Sequence, residues 1–110
     1  MSRMFKIRVP VPEDHAERLM DAIDANMEPV YPGYTRTFSI IRSKGTWVSE
    51  EGSKPFIGKL NEAVYVEELI LEFAVYEKDL KDVLRTIEKE HPYEEPGVDV
   101  IEMIPWRTLL

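Results

Sequence analysis

Val64-Tyr65-Val66-Glu67-Glu68-Leu69-Ile70-Leu71-Glu72-Phe73-Ala74-Val75-Tyr76 is the stretch on which the fold turns. Its side chains alternate with period two, the mark of a strand whose two faces meet different surroundings. Tyr65, Leu69, Leu71, Phe73 and Val75 point one way, and Glu68, Ile70, Glu72 and Ala74 the other. Downstream, Leu80, Val83, Leu84, Ile87 and His91 recur at helical spacing, so a helix with one apolar stripe follows. Pro92 stops it, and Pro96-Gly97 turns the chain into a last strand over Val98–Ile104, closed by Pro105.

Upstream the same order recurs. Phe5, Ile7, Val9 and Val11 form the core face of a first strand, and Pro12 with Glu13 and Asp14 suits the start of a helix. Ala16, Leu19, Met20, Ile23 and Met27 make that helix's stripe, which Pro29, Pro32 and Gly33 end. Tyr34–Arg42 is expected as the second strand, and Ser43–Asn61, punctuated by Gly45, Gly52, Pro55 and Gly58, as a long hairpin. The order is strand, helix, strand, strand, helix, strand. Two helices on one face of a four-stranded antiparallel sheet bury both stripes, which predicts an α+β, ferredoxin-like βαββαβ sandwich over residues 1–110 as one domain. In that topology Lys6 and Arg8 lie beside Glu68 and Glu72 on the open face.

Composition excludes several functions. With 110 residues, 44% of them apolar, the chain can bury a core unaided. Without cysteine there is no disulfide, thiolate metal site or cysteine nucleophile. A net charge of −7 disfavours nucleic acid as partner, and no apolar run is long enough for a membrane span. The first residues lack a signal-peptide core, so a cytoplasmic location is expected.

Candidate chemistry gathers at one end of the sheet. The topology brings His15, the Ser43–Asn61 hairpin with Trp47 and Phe56, and the turn His91-Pro92-Tyr93-Glu94-Glu95-Pro96-Gly97 to that end. His91, Glu94, Glu95 and His15 are candidate ligands for a divalent metal, since imidazole and carboxylate suit zinc and its neighbours. The competing reading makes His91 the last residue of a helical stripe and a helix terminator. Glu94 and Glu95, adjacent in sequence, diverge too much to act as an acid–base pair. Ser39, Ser43, Ser49 and Ser53 lack a nucleophile elbow. Gly52–Leu60 has the wrong spacing for a phosphate loop. No enzyme is expected. Trp47, Phe56, Ile70, Ala74, Tyr76 and Tyr93 are the candidate ligand-binding or interface residues, because apolar groups on an exposed sheet mark association.

Gly45-Thr46-Trp47, Gly52-Ser53-Lys54-Pro55-Phe56-Ile57-Gly58, Val66-Glu67-Glu68 and His91-Pro92-Tyr93-Glu94-Glu95-Pro96 together resemble the YqfO-type insert domain, a CutA-like and PII-like module, here standing alone. A related His-Pro-Tyr-Glu string occurs in CutA divalent-cation tolerance proteins. The resemblance implies a ferredoxin-like fold, a homo-oligomer (a trimer is favoured), no established enzymatic activity and no resident cofactor. The function expected is a non-enzymatic, regulatory module that binds a small ligand or partner protein at the hairpin end. The alternative is CutA-like binding of a divalent metal through His91.

Overall fold

The computed structural model describes residues 3–110. Strand β1 (Met4–Pro12) leads into helix α1 (Glu13–Asp24), and β2 (Ser39–Val48) and β3 (Ala63–Tyr76) follow. Helix α2 (Glu77–Glu90), β4 (Asp99–Met103) and a short 3-10 turn, Trp106–Leu109, complete the chain. The strands form one antiparallel sheet in the order β2-β3-β1-β4. This is the ferredoxin-like sandwich that the periodicity predicts.

Both helices lie on one face because both stripes need the same apolar surface. Ile7, Val9 and Val11 of β1 and Leu71 and Val75 of β3 are fully buried there. They pack with Leu19, Met20 and Ile23 of α1 and Val83 and Ile87 of α2. Acidic residues occupy the first turn of each helix, where the exposed N–H groups favour negative charge.

The second strand begins and ends later than its composition predicts. Residues 31–38 are a loop: Tyr31 and Tyr34 form an isolated bridge, and Arg36 adopts a φ of 53°. Arg36 explains that conformation. Its N–H donates to Asp24 (2.8 Å), and its guanidinium reaches Asp21 (2.8 Å) and Glu17 (2.6 Å). The loop is thereby strapped along α1. At the other end β2 stays paired to β3 as far as Val48↔Ala63, so the strand takes in Gly45 and Trp47, and the loop proper starts at Ser49. Because β1 pairs with β3 only from Glu68 onward, the ribbon Gly45–Val48/Ala63–Val66 projects beyond the helices. Tyr65 therefore lies outside the core at 70% exposure, although its parity is that of Leu69 and Leu71.

Two further expectations need correction. Arg8 does pair with Glu72, but Lys6 faces Ala74 and Glu68 faces Pro12. Ala74 is not on an open surface: it is 3% exposed, and it borders a small pocket shared with residues of the loop before β2. Ala74 is thus unavailable to a ligand or a second chain. Ile70 and Tyr76 remain half-buried.

Candidate functional site

The site grows out of an interrupted ladder. β4 pairs with β1 only as far as Arg8↔Asp99, so the next stretch of β1 lacks a strand on that side. A buried carbonyl left there must find another donor. His91 supplies it: Nε2–H donates to the Pro10 carbonyl at 2.7 Å. The other ring nitrogen, Nδ1, accepts the Tyr93 backbone N–H at 3.1 Å. These partners require the neutral ring with its proton on Nε2. Burial pushes the His91 pKa below its ordinary 6.5, against the Pro10 bond and the Glu68 charge, which act to raise it. The backbone N–H of His91 bonds the Ile87 carbonyl at 2.9 Å, so the same residue ends α2 and starts the turn.

Tyr93 is the hub of an aromatic cluster. Its ring lies 5.3 Å from Trp47, 6.2 Å from Phe56 and 4.9 Å from His91, centroid to centroid, and Phe56 continues to His15 at 5.5 Å. Aromatic pairs at these separations and tilts are attractive beyond their buried area. The hairpin loop is pinned to the turn by Glu94, whose Oε1 accepts the Lys54 backbone N–H at 3.0 Å. The expected meeting of His15, the hairpin and the His91–Gly97 turn is therefore seen in the structure. Between them opens a cleft of about 590 Å³ lined by Trp47, Phe56, Tyr93, Glu68 and the rim carboxylates Glu94 and Glu95, among others.

The floor of the cleft is Glu68, which the sequence pattern sets on the open face beside Lys6 and Arg8 without a site role. Glu68 is 6% exposed, and its Oε2 accepts the Tyr93 hydroxyl proton at 2.7 Å. Burial first, then this carboxylate, pushes the Tyr93 phenol well above its ordinary 10. Gly45 belongs to the same arrangement. A Cβ there would overlap Glu68 Oε1 and stand 2.9 Å from its Cδ, so the glycine provides room for the carboxylate. An isolated glycine inside a strand is the sequence mark of such a close approach.

Two predictions test this floor. Gly45→Ala is expected to lower stability by about 1–3 kcal/mol, as overpacking beside a buried group does, measured by urea unfolding. Tyr93→Phe removes the donor to a buried carboxylate and is expected to cost about 1.5–3 kcal/mol near neutral pH. Because folding raises the phenol pKa, the wild-type contribution is complete below pH 10 and declines as pH rises beyond it. Tyr93→Phe is accordingly expected to flatten the alkaline limb of the stability curve.

The candidate metal donors are not gathered. Both His91 nitrogens are engaged by the backbone, Glu94 holds the Lys54 N–H, and His15 Nδ1 lies 2.9 Å from exposed Asp14. Among the described residues no group of three or more His, Asp or Glu side chains is arranged to hold a metal ion. None of their helices is long and apolar enough to cross a membrane.

Comparison with known proteins places this geometry among relatives. The chain matches no family model. It is 34% identical over 97 residues to the GTP cyclohydrolase 1 type 2 homolog of Halalkalibacterium halodurans, covering 88% of this chain and 26% of that protein. Its likeness to the Bacillus subtilis homolog of the same name is 29% over 102 residues, 91% of this chain and 27% of the relative. The chain thus spans about a quarter of the length of the curated relatives it matches. Among solved structures, a Bacillus cereus protein related to NIF3 superposes with a TM-score of 0.80 at 26% identity, over 94% of this chain and 26% of that one. The divalent ion tolerance protein CutA1 of Ehrlichia chaffeensis superposes with a TM-score of 0.69 at 15% identity, over 96% and 85% of the two chains. The chain is similar in sequence to one segment of NIF3-related proteins, and it shares its fold with CutA1.

Proposed function

We propose that the chain is a non-enzymatic, regulatory module that self-associates and takes a small ligand or partner protein into the Tyr93 cleft. The observation that carries this reading is the cleft itself, where three aromatic rings, from β2, the hairpin loop and the His91–Gly97 turn, line it together with a buried carboxylate. His91 supports the turn and presents no free nitrogen to a reactant, which favours a binding surface over acid–base chemistry. Likeness to a segment of larger proteins supports a module, one that we take to work in the cytoplasm.

Self-association is supported by the two sheet edges. Ile40 and Ile41 on β2 and Ile101 on β4 are exposed beside unpaired backbone groups, and such edges invite a further strand. A trimer is the state we favour, from the CutA-like and PII-like resemblance. CutA-like binding of a divalent metal is the competing reading. The fold shared with the divalent ion tolerance protein CutA1 favours it, and the engaged nitrogens of His91 weigh against it.

Native mass spectrometry of metal-stripped protein, before and after zinc, copper and nickel salts, tests both. A stable oligomer that ignores all three metals is the expected result. A monomer at micromolar concentration would overturn self-association. Stoichiometric uptake of one metal, lost in His91→Ala, would replace the module reading with metal handling.

A further inference from the structure

The cleft has a charge character that narrows its ligand. Its lining includes the carboxylates Glu50, Glu68, Glu94 and Glu95 and no lysine, arginine or histidine side chain. Lys54 stands between two lining residues and gives Glu94 its backbone N–H. Acidic rims alone are ordinary in a chain of net charge −7, but the floor is not ordinary. Glu68 is more than nine-tenths buried, and one of its two oxygens is occupied by Tyr93. The other, Oε1, lies against Gly45 and receives none of the hydrogen bonds made by the described side chains. It is nonetheless not sealed off from solvent, and Glu68 is part of the cleft lining. A carboxylate oxygen at the floor of a cleft, reached by solvent and without a protein donor, is an acceptor that a ligand N–H can take over from water.

The walls specify the rest of the ligand. Trp47, Phe56 and Tyr93 line the cleft and pack tilted or edge-on against one another. A ring face attracts a cation, and the attraction grows when water is excluded. An anion would meet four carboxylates and no compensating base. A neutral apolar molecule would leave Oε1 without a partner, a cost that buried polar groups exact in full.

We infer that the cleft binds a small organic ammonium ion, with the N–H of a primary ammonium donating to Glu68 Oε1 and an apolar body lying among Trp47, Phe56 and Tyr93. The inference rests on the cleft being the binding site and adds the class of ligand. The acidic rim would raise the local concentration of such cations.

The test uses three probes of one shape: benzylamine, benzyl alcohol and benzoate. They are titrated into a Trp106→Phe background, so that Trp47 is the sole indole reporting. Benzylamine is expected to shift Trp47 emission, with benzyl alcohol and benzoate at least ~10-fold weaker. Glu68→Gln is expected to weaken benzylamine about tenfold. Because Glu68 is buried, the exposed rim variant Glu95→Gln supplies a second reading, a loss of about two- to fivefold that added salt abolishes. If benzyl alcohol or benzoate binds as tightly as benzylamine, the ammonium inference fails while the cleft stands as a ligand site. If none of the three perturbs Trp47 at millimolar concentration, the ammonium inference fails. The module reading then stands or falls on the oligomer seen by native mass spectrometry.

Discussion

Leu71→Ala is expected to lower the free energy of unfolding by about 2–5 kcal/mol, the range for a large aliphatic side chain cut to alanine in a rigid core. Leu71 is fully buried at the middle of β3, paired with Val9 on one side and Ile40 on the other. Strand neighbours fix the backbone on both flanks, and the stripes of the two helices cover the side chain. Little can move in to fill the void, so the cost should fall in the upper part of that range. A domain of this size has ~5–15 kcal/mol of total stability, so the variant would lose a large share of its margin. Urea unfolding monitored by far-UV circular dichroism reads the change as a lower midpoint at constant slope. Ile101→Ala, removing a side chain 56% exposed on the edge strand, should stay within ~0.5 kcal/mol in a monomer. A larger loss at Ile101 that grows with protein concentration would report its burial between copies. A loss under ~1 kcal/mol at Leu71 would mean that the helices do not cover the sheet as described.

The same contrast explains what could be read from the residues alone. Val9, Leu71, Ile23 and Ile87 announce their burial by period, because one buried face per element is the cheapest way to hide apolar surface. The boundaries of β2 were not legible. Tyr34–Phe38 has strand-forming composition, yet the distant acids Glu17, Asp21 and Asp24 capture Arg36 and hold those residues in a loop. Strand propensity yields readily to such tertiary contacts. Ala74 alternates with Phe73 and Val75 and so reads as open-face, and no pattern in β3 itself shows that it is 3% exposed. The site was legible in outline: element order alone brings His15, Trp47 and Tyr93 to one end. Its floor was not. Glu68 reads as an open-face acid beside Lys6 and Arg8, and only the pairing register reveals it opposite Ser43, close to Gly45. Gly45, an isolated glycine between strand-like residues, was the available sign that something approached closely there.

His91→Ala should be nearly as damaging as Leu71→Ala, and its pH dependence distinguishes a structural histidine from a metal ligand. The variant strands two partly buried backbone groups, the Pro10 carbonyl and the Tyr93 N–H. Each costs roughly 1–3 kcal/mol when left without a partner, so a total of about 2–6 kcal/mol is expected. His91→Gln, whose amide can both donate and accept, should recover part of it. Folding holds the imidazole neutral and lowers its pKa below 6.5 through burial. The unfolded chain therefore binds the additional proton as pH falls. The stability contributed by His91 is complete above pH ~6.5 and declines as the pH drops towards the lower folded pKa. Wild-type protein should show this acid slope below about pH 6.5, superimposed on that of the carboxylates, and His91→Ala should lose that share of it. Zinc supplies the opposing arm. If His91 were a metal ligand, zinc would stabilise the wild type and deepen the acid slope, since protons and metal compete for the same nitrogen. An unfolding midpoint indifferent to zinc, together with an acid slope that His91→Ala abolishes, makes the histidine a bridge between β1 and the Tyr93 turn. The cleft then depends on His91 for its shape and draws its ligand chemistry from Glu68 and the three rings.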